Sequence, residues 1–189
     1  MNRTLLFTLC LFCCSLSVSA QVVGVKSDVL SGLLTSPNLA VEVVLSPRFS
    51  VEANAHYNGF NAGGDKRWKH WFVQPELRYW MCQPFGGHFF GVHALYGWYN
   101  VAGVKLPFGL LPEIRDERYE GSLAGFGLSY GYHFILSPRW GLETSVGVGM
   151  VHTNYERFRC FHCGEQTGSG SKNYVGPTKV AVSLIYLIK

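Results

Sequence analysis

Residues Trp71–Met81 read Trp-Phe-Val-Gln-Pro-Glu-Leu-Arg-Tyr-Trp-Met, and no other stretch narrows the choice of fold so far. At a period of two, Val73, Pro75, Leu77, Tyr79 and Met81 fall on one face. Gln74, Glu76 and Arg78 fall on the other, with Trp71, Phe72 and Trp80 at the two ends. A water-soluble sheet also alternates, but it rarely brackets a strand with Trp and Tyr at both ends. Apolar residues outward, charges inward and aromatics at both rims is the pattern of a transmembrane barrel strand. A soluble ligand-binding barrel would have the opposite polarity, apolar within and polar outside.

The N-terminus fits that destination. Arg3, the apolar run Thr4–Leu16 and the small residues Val18-Ser19-Ala20 read as a secretory signal peptide cut near Ala20, too short to span a bilayer. Cys13 and Cys14 raise the lipoprotein alternative, but Phe12 is not the small residue a lipobox wants before its Cys. Cleavage removes a single base, Arg3, from 16 Lys+Arg against 12 Asp+Glu, so the balance stays too mild to argue for nucleic acid. It also leaves only Cys82, Cys160 and Cys163, too few for a disulfide scaffold. The remaining chain has no apolar run of about 18 residues, so strands are the way it could cross a membrane.

Eight strands are predicted: Val22–Leu30, Asn38–Leu45, Phe49–Tyr57, Trp71–Met81, His88–Asn100, Tyr119–Phe134, Trp140–Thr153 and Pro177–Ile188. Short connections at 46–48, 82–87 and 135–139 alternate with mostly longer ones at 31–37, 58–70, 101–118 and 154–175. The expected fold is an all-β, eight-stranded antiparallel up-and-down transmembrane β-barrel with both termini on the periplasmic side. An internal echo supports closure: Leu45-Ser-Pro-Arg-Phe-Ser-Val-Glu52 recurs as Leu136-Ser-Pro-Arg-Trp-Gly-Leu-Glu143, which sets Glu52 and Glu143 at matching depths.

The inward face collects Lys26, Glu42, Glu52, Glu76, Arg78, His93, Glu143 and Lys179. A barrel of this size is just wide enough to be filled by side chains, and buried charges must then pair. Inward glycines at 125, 127, 131, 147 and 149 leave room for long side chains, and the planar fork of Arg78 makes it the expected hub. Cys160-Phe-His-Cys163 lies in the longest predicted loop, where a local disulfide joining Cys160 to Cys163 is expected, ahead of a metal site and of a redox pair. Gly164 and Gly168-Ser-Gly170 read as turn permissions, since no helix follows to hold a phosphate. Arg67, Trp68, Lys69, Phe108 and Arg115 offer loop contacts to a surface partner or glycan. Lipid-modifying and proteolytic barrel enzymes carry their chemistry at the outer rim, so His56, His70 and His152 are the places to look. A His within reach of a Ser or carboxylate there favours an enzyme, and no spacing singles out a nucleophile and base.

Several stretches carry a resemblance. They are Lys69–Trp80, Gly87–Gly91, Tyr119-Glu-Gly121, Gly127–Tyr132, Cys160-Phe-His-Cys-Gly164 and Asn173–Lys179. On them the chain resembles a family of small outer-membrane-type barrel proteins of Gram-negative bacteria, a domain of unknown function. The resemblance spans nearly the whole mature chain and implies the barrel fold without assigning an activity. Some members occur alongside fimbrial components, which implies an envelope role. The terminal Leu187-Ile188-Lys189 departs from the aromatic end usual for outer-membrane proteins, with Tyr186 the nearest aromatic. The expectation is a filled barrel in the outer membrane, structural or surface-interacting, with lipid and an envelope or fimbrial protein as partners. No metal or cofactor enters that expectation, and a lipid-modifying or proteolytic barrel enzyme is the alternative.

Overall fold

The computed structural model describes residues 22–33, 36–59, 67–102, 118–158 and 166–188. Its strands are β1 (Val23–Asp28), β2 (Asn38–Ser46), β3 (Phe49–Asn58), β4 (Arg67–Trp80), β5 (Gly87–Ala102), β6 (Arg118–Ile135), β7 (Trp140–Phe158) and β8 (Gln166–Ile188). Each pairs antiparallel with the next, and β1 pairs with β8 from Val23↔Ile188 to Asp28↔Ser183, so the sheet closes as a ring without edges. Among the described residues no helix is long and apolar enough to cross a membrane.

The two faces divide chemistry in the reverse of a water-soluble sense. Among the described residues, the buried side chains are nine apolar against twenty polar or charged, and the polar set includes Lys26, Glu42, Glu52, Glu76, Arg78 and Glu143. Leu77, Val92, Phe126, Leu128, Val146 and Val148 are exposed on the outside. Period-two alternation is the cause, because one face of every strand must point into the closed ring.

The turns explain the register. In both copies of the Leu-Ser-Pro-Arg turn the serine oxygen accepts a backbone N–H three residues on, Phe49 to Ser46 at 3.2 Å and Trp140 to Ser137 at 3.1 Å. Proline fixes φ in each and donates nothing, which makes the bend local. The third short connection does more. Phe85 takes a left-handed φ of 59° and folds inward, so that it is buried with its ring 5.9 Å from Trp80. Trp80 also packs against Phe89 with centroids 4.9 Å apart. Together with His133 and Ile185, these rings close the short-turn end of the lumen.

Several boundaries differ from the predicted ones. The first strand stops at Asp28, because its carboxylate accepts the backbone N–H groups of Leu30 and Ser31, each at 3.1 Å, and caps a short helix, α1 (Val29–Leu33). Trp80, expected at a rim, is fully buried inside, and Met81 lies beyond the strand. The predicted loop over 154–175 is largely strand: β7 runs on to Phe158 and β8 starts at Gln166, with Glu156↔Ser169 and Asn154↔Ser171 paired. Backbone pairing needs no apolar side chains, so a hairpin continues after the hydrophobic alternation has ended. Arg67, Trp68 and Lys69, expected in a loop, belong to β4 and pair with Ala102, Val101 and Asn100. Phe108, Arg115, Cys160 and Cys163 lie outside the described residues.

Candidate functional site

The ring places its ionic groups in one layer. Arg78 comes from β4, and its guanidinium reaches Glu76 at 2.8 Å, Glu42 at 2.8 Å, Glu52 at 2.7 Å and Glu143 at 3.0 Å. Lys26 of β1 pairs with Glu52 at 2.9 Å and Glu143 at 2.8 Å, and also with Glu42. Lys179 of β8 pairs with Glu76 at 2.5 Å and Glu52 at 3.2 Å. The echo in sequence thus becomes a convergence in space, since Glu52 and Glu143 bind the same two cations.

Neighbouring hydrogen bonds fix the carboxylates. Ser129 donates to Glu76 at 3.1 Å, Ser50 donates to Glu42, and the Trp80 indole N–H donates to Ser50 at 2.8 Å. Below the layer, Phe89 lies 4.4 Å from the Arg78 guanidinium, a cation–π contact that joins the ions to the aromatic plug. Glycine makes the room: a Cβ at Gly91 would meet Glu76 Oε1 at 2.5 Å, and one at Gly127 would meet His93 Nε2 at 2.7 Å.

His93 stands apart from the ion pairs with which it was expected. Its Nε2 lies 2.9 Å from Thr178 Oγ1, and Thr178 is the residue skipped where β8 slips register between Lys179 and Pro177. His133 is nearest the layer instead, with Nδ1 3.9 Å from Glu143. The layer holds Lys26, Arg78 and Lys179 against Glu42, Glu52, Glu76 and Glu143, one carboxylate more than cations.

Above the ions the lumen changes character in steps. Cross-strand pairing on β3 and β4 runs Glu52↔Glu76, Asn54↔Gln74, His56↔Phe72 and Asn58↔His70. A polar cavity of about 250 Å³ lies against Asn54, Gln74, Asp28 and Lys179. It shares Phe72, Pro177 and Thr178 with a larger cavity of about 710 Å³, walled by Leu95, Tyr99, Tyr119, Leu123, Val151 and Tyr155. Among the described residues the interior is therefore filled at its floor and holds cavities toward the long connections, whereas the sequence predicts it filled throughout.

The three rim histidines separate. His56 is buried and stacked on Phe72 with centroids 4.1 Å apart. His152 is exposed on the outer face, where its ring nitrogens meet the amide oxygens of Asn173 at 2.6 Å and Asn154 at 3.2 Å. His70 Nε2 lies 3.1 Å from Ser36 Oγ, a His–Ser contact at the long-connection end. Ser36 entered no sequence argument, because it sits on the link after α1 and only the ring brings it to β4. Among the described residues no group of three or more His, Cys, Asp or Glu could hold a metal ion, and Cys82 is an exposed free thiol.

The fold and its interior define a small all-β ring protein whose polar residues face inward. A family model described as a protein of unknown function, DUF3575, matches residues 6–188, and the chain belongs to that family. No curated protein and no solved structure matches it.

Removing the hub should leave four carboxylates facing two lysines. Arg78→Met is expected to cost about 3–5 kcal/mol of folding stability. Combining it with Glu76→Gln should recover part of that loss in a double-mutant cycle measured by urea unfolding. Simple additivity of the two changes would show that the guanidinium and Glu76 do not interact.

Proposed function

We propose that the chain is a small outer-membrane β-barrel of a Gram-negative envelope, exported by its N-terminal segment and acting as a structural or surface-interaction protein. The observation that carries this reading is the outward face of β7 and β8. From Trp140 and Tyr186 it stays mostly apolar through Leu142, Val146, Val148, Met150, Val180 and Leu184. It then turns polar at His152↔Asn173, Asn154↔Ser171 and Glu156↔Ser169. The apolar stretch Trp140–Met150 covers about 11 residues; at about 3.3 Å each and a tilt of about 40° it rises roughly 28 Å, close to the ~25 Å apolar band of such barrels.

Aromatics lie at both limits of that band. Phe49, Tyr79, Phe90, Tyr130, Phe134 and Trp140 ring the short-turn side, and Tyr57, Trp71 and Tyr96 the other. Such girdles suit rings whose amphipathic bodies rest at a lipid–water boundary. The short turns then face the periplasm, and β6, β7 and β8 carry a polar collar beyond the outer leaflet. That collar is where an envelope or fimbrial protein would dock, and affinity capture from separated outer membranes tests it. A stoichiometric envelope partner supports the surface role, and recovery of the barrel alone contradicts it.

The His70–Ser36 contact favours a second reading, a barrel hydrolase with Ser36 as nucleophile and His70 as base. Ser36 is only 8% exposed, which withholds the hydroxyl from a substrate in this conformation. Labelling of Ser36 by a fluorophosphonate, lost in His70→Gln, is the result that reading requires; an unlabelled chain removes it.

The membrane assignment makes a quantitative demand. Leu77→Arg, on the outward face of β4, should lose about 2–4 kcal/mol of folding stability in lipid vesicles. Ser169→Arg, outward on the polar collar, should lie within about 0.5 kcal/mol of wild type. Equal costs at the two positions would contradict a lipid-facing band.

A further inference from the structure

We infer that the lumen toward the long connections is a binding cup for an uncharged amphiphile, an apolar body carrying a hydroxyl or carboxamide head. Most of the cup's wall comes from inward side chains of the ring, so the inference does not depend on what surrounds the ring.

Two independent features point to that chemistry. The wall is apolar and aromatic, with Leu95, Tyr99, Leu123 and Val151 around about 710 Å³, a volume in the range of small-molecule sites. In the smaller polar cavity, which adjoins the cup across Phe72, Pro177 and Thr178, two buried amides have functional atoms without a protein partner, Asn54 Oδ1 and Gln74 Nε2. Asn54 is 8% exposed and Gln74 3%, and the two are direct cross-strand neighbours. A buried donor or acceptor left without a partner is costly, so a group that occupies both gains correspondingly. One atom is an acceptor and the other a donor. A head that both donates and accepts, as a hydroxyl or primary amide does, satisfies the pair.

Charge narrows the head further. The ionic layer just below has one carboxylate more than cations, and Asp28, lining the same polar cavity, enters no ion pair among the described residues. The Asp28 oxygens are held by the N–H groups of Leu30, Ser31 and Val182. An anionic head, such as a free fatty acid carboxylate, would sit above this acidic floor, with Lys179 already engaged by Glu52 and Glu76. At the depth of Asn54 and Gln74 the site therefore discriminates against carboxylates; Lys172, the cation on the cup's wall, lies farther along β8, opposite Thr153.

The test uses a matched pair of water-soluble probes, 1-naphthaleneacetamide and 1-naphthaleneacetate, which differ in head charge and little in shape. With the full-length protein in lipid nanodiscs, the amide should bind saturably and shift the Gln74 side-chain amide resonances. The acetate should bind at least tenfold more weakly. Val151→Trp, which fills the cup, should abolish saturable binding. Gln74→Leu, on another strand, should weaken the amide about tenfold and so erase most of the difference between the probes. Acetate binding as tightly as the amide, binding unchanged in Val151→Trp, or no saturable binding of either probe would overturn the inference.

Discussion

One guanidinium in contact with four carboxylates sets the terms for the rest of this molecule. Burying an ion costs several kcal/mol unless partners surround it, and Arg78 is fully buried. Strands from around the ring therefore contribute: β2 sends Glu42, β3 Glu52, β7 Glu143, and β1 and β8 the two lysines. Strands of a closed sheet present side chains to a common axis, so residues 117 positions apart, such as Lys26 and Glu143, meet at 2.8 Å. The small residues opposite are part of the same solution. Gly91 and Gly127 carry no Cβ where Glu76 and His93 need the space.

From this layer the lumen is built in both directions. Toward the short turns, Phe89 and Phe85 lie against the cations, and Trp80 ties the plug to the carboxylates through Ser50. Phe85 holds a left-handed φ there, a conformation that costs a non-glycine residue on the order of 1–3 kcal/mol. Its burial among rings offsets that cost. Toward the long connections, charge gives way to neutral amides and then to an apolar wall.

Much of this was legible in the sequence, and for identifiable reasons. Parity along Trp71–Met81 puts Glu76 and Arg78 on one face, and the structure joins them at 2.8 Å. The repeated Leu-Ser-Pro-Arg turn sets two glutamates at one depth. What parity does not supply is the identity of partners across the ring, so the sequence groups His93 with the ions although it meets Thr178 at a register slip. The same parity that turned Arg78 inward also turns Trp80 inward, but an aromatic at the end of an apolar strand reads as a rim residue. Phe85 was hidden for a different cause: its inward fold depends on a backbone conformation that few non-glycine residues adopt. The long β7–β8 extension reads as loop in the sequence because its side chains lose their alternation of polarity, while its hydrogen bonds continue.

The proposed membrane reading requires the outward face to meet lipid, and one measurement addresses that directly. Spin labels placed singly at consecutive positions from Ser145 to Met150 of β7, in protein reconstituted into bilayers, report collisions with oxygen and with a water-soluble nickel complex. Oxygen accessibility should be high at Val146, Val148 and Met150 and low at Ser145, Gly147 and Gly149, with the nickel complex excluded from the outward set. Nickel access at Val146, Val148 and Met150, or no alternation along the stretch, would contradict the inside-out barrel.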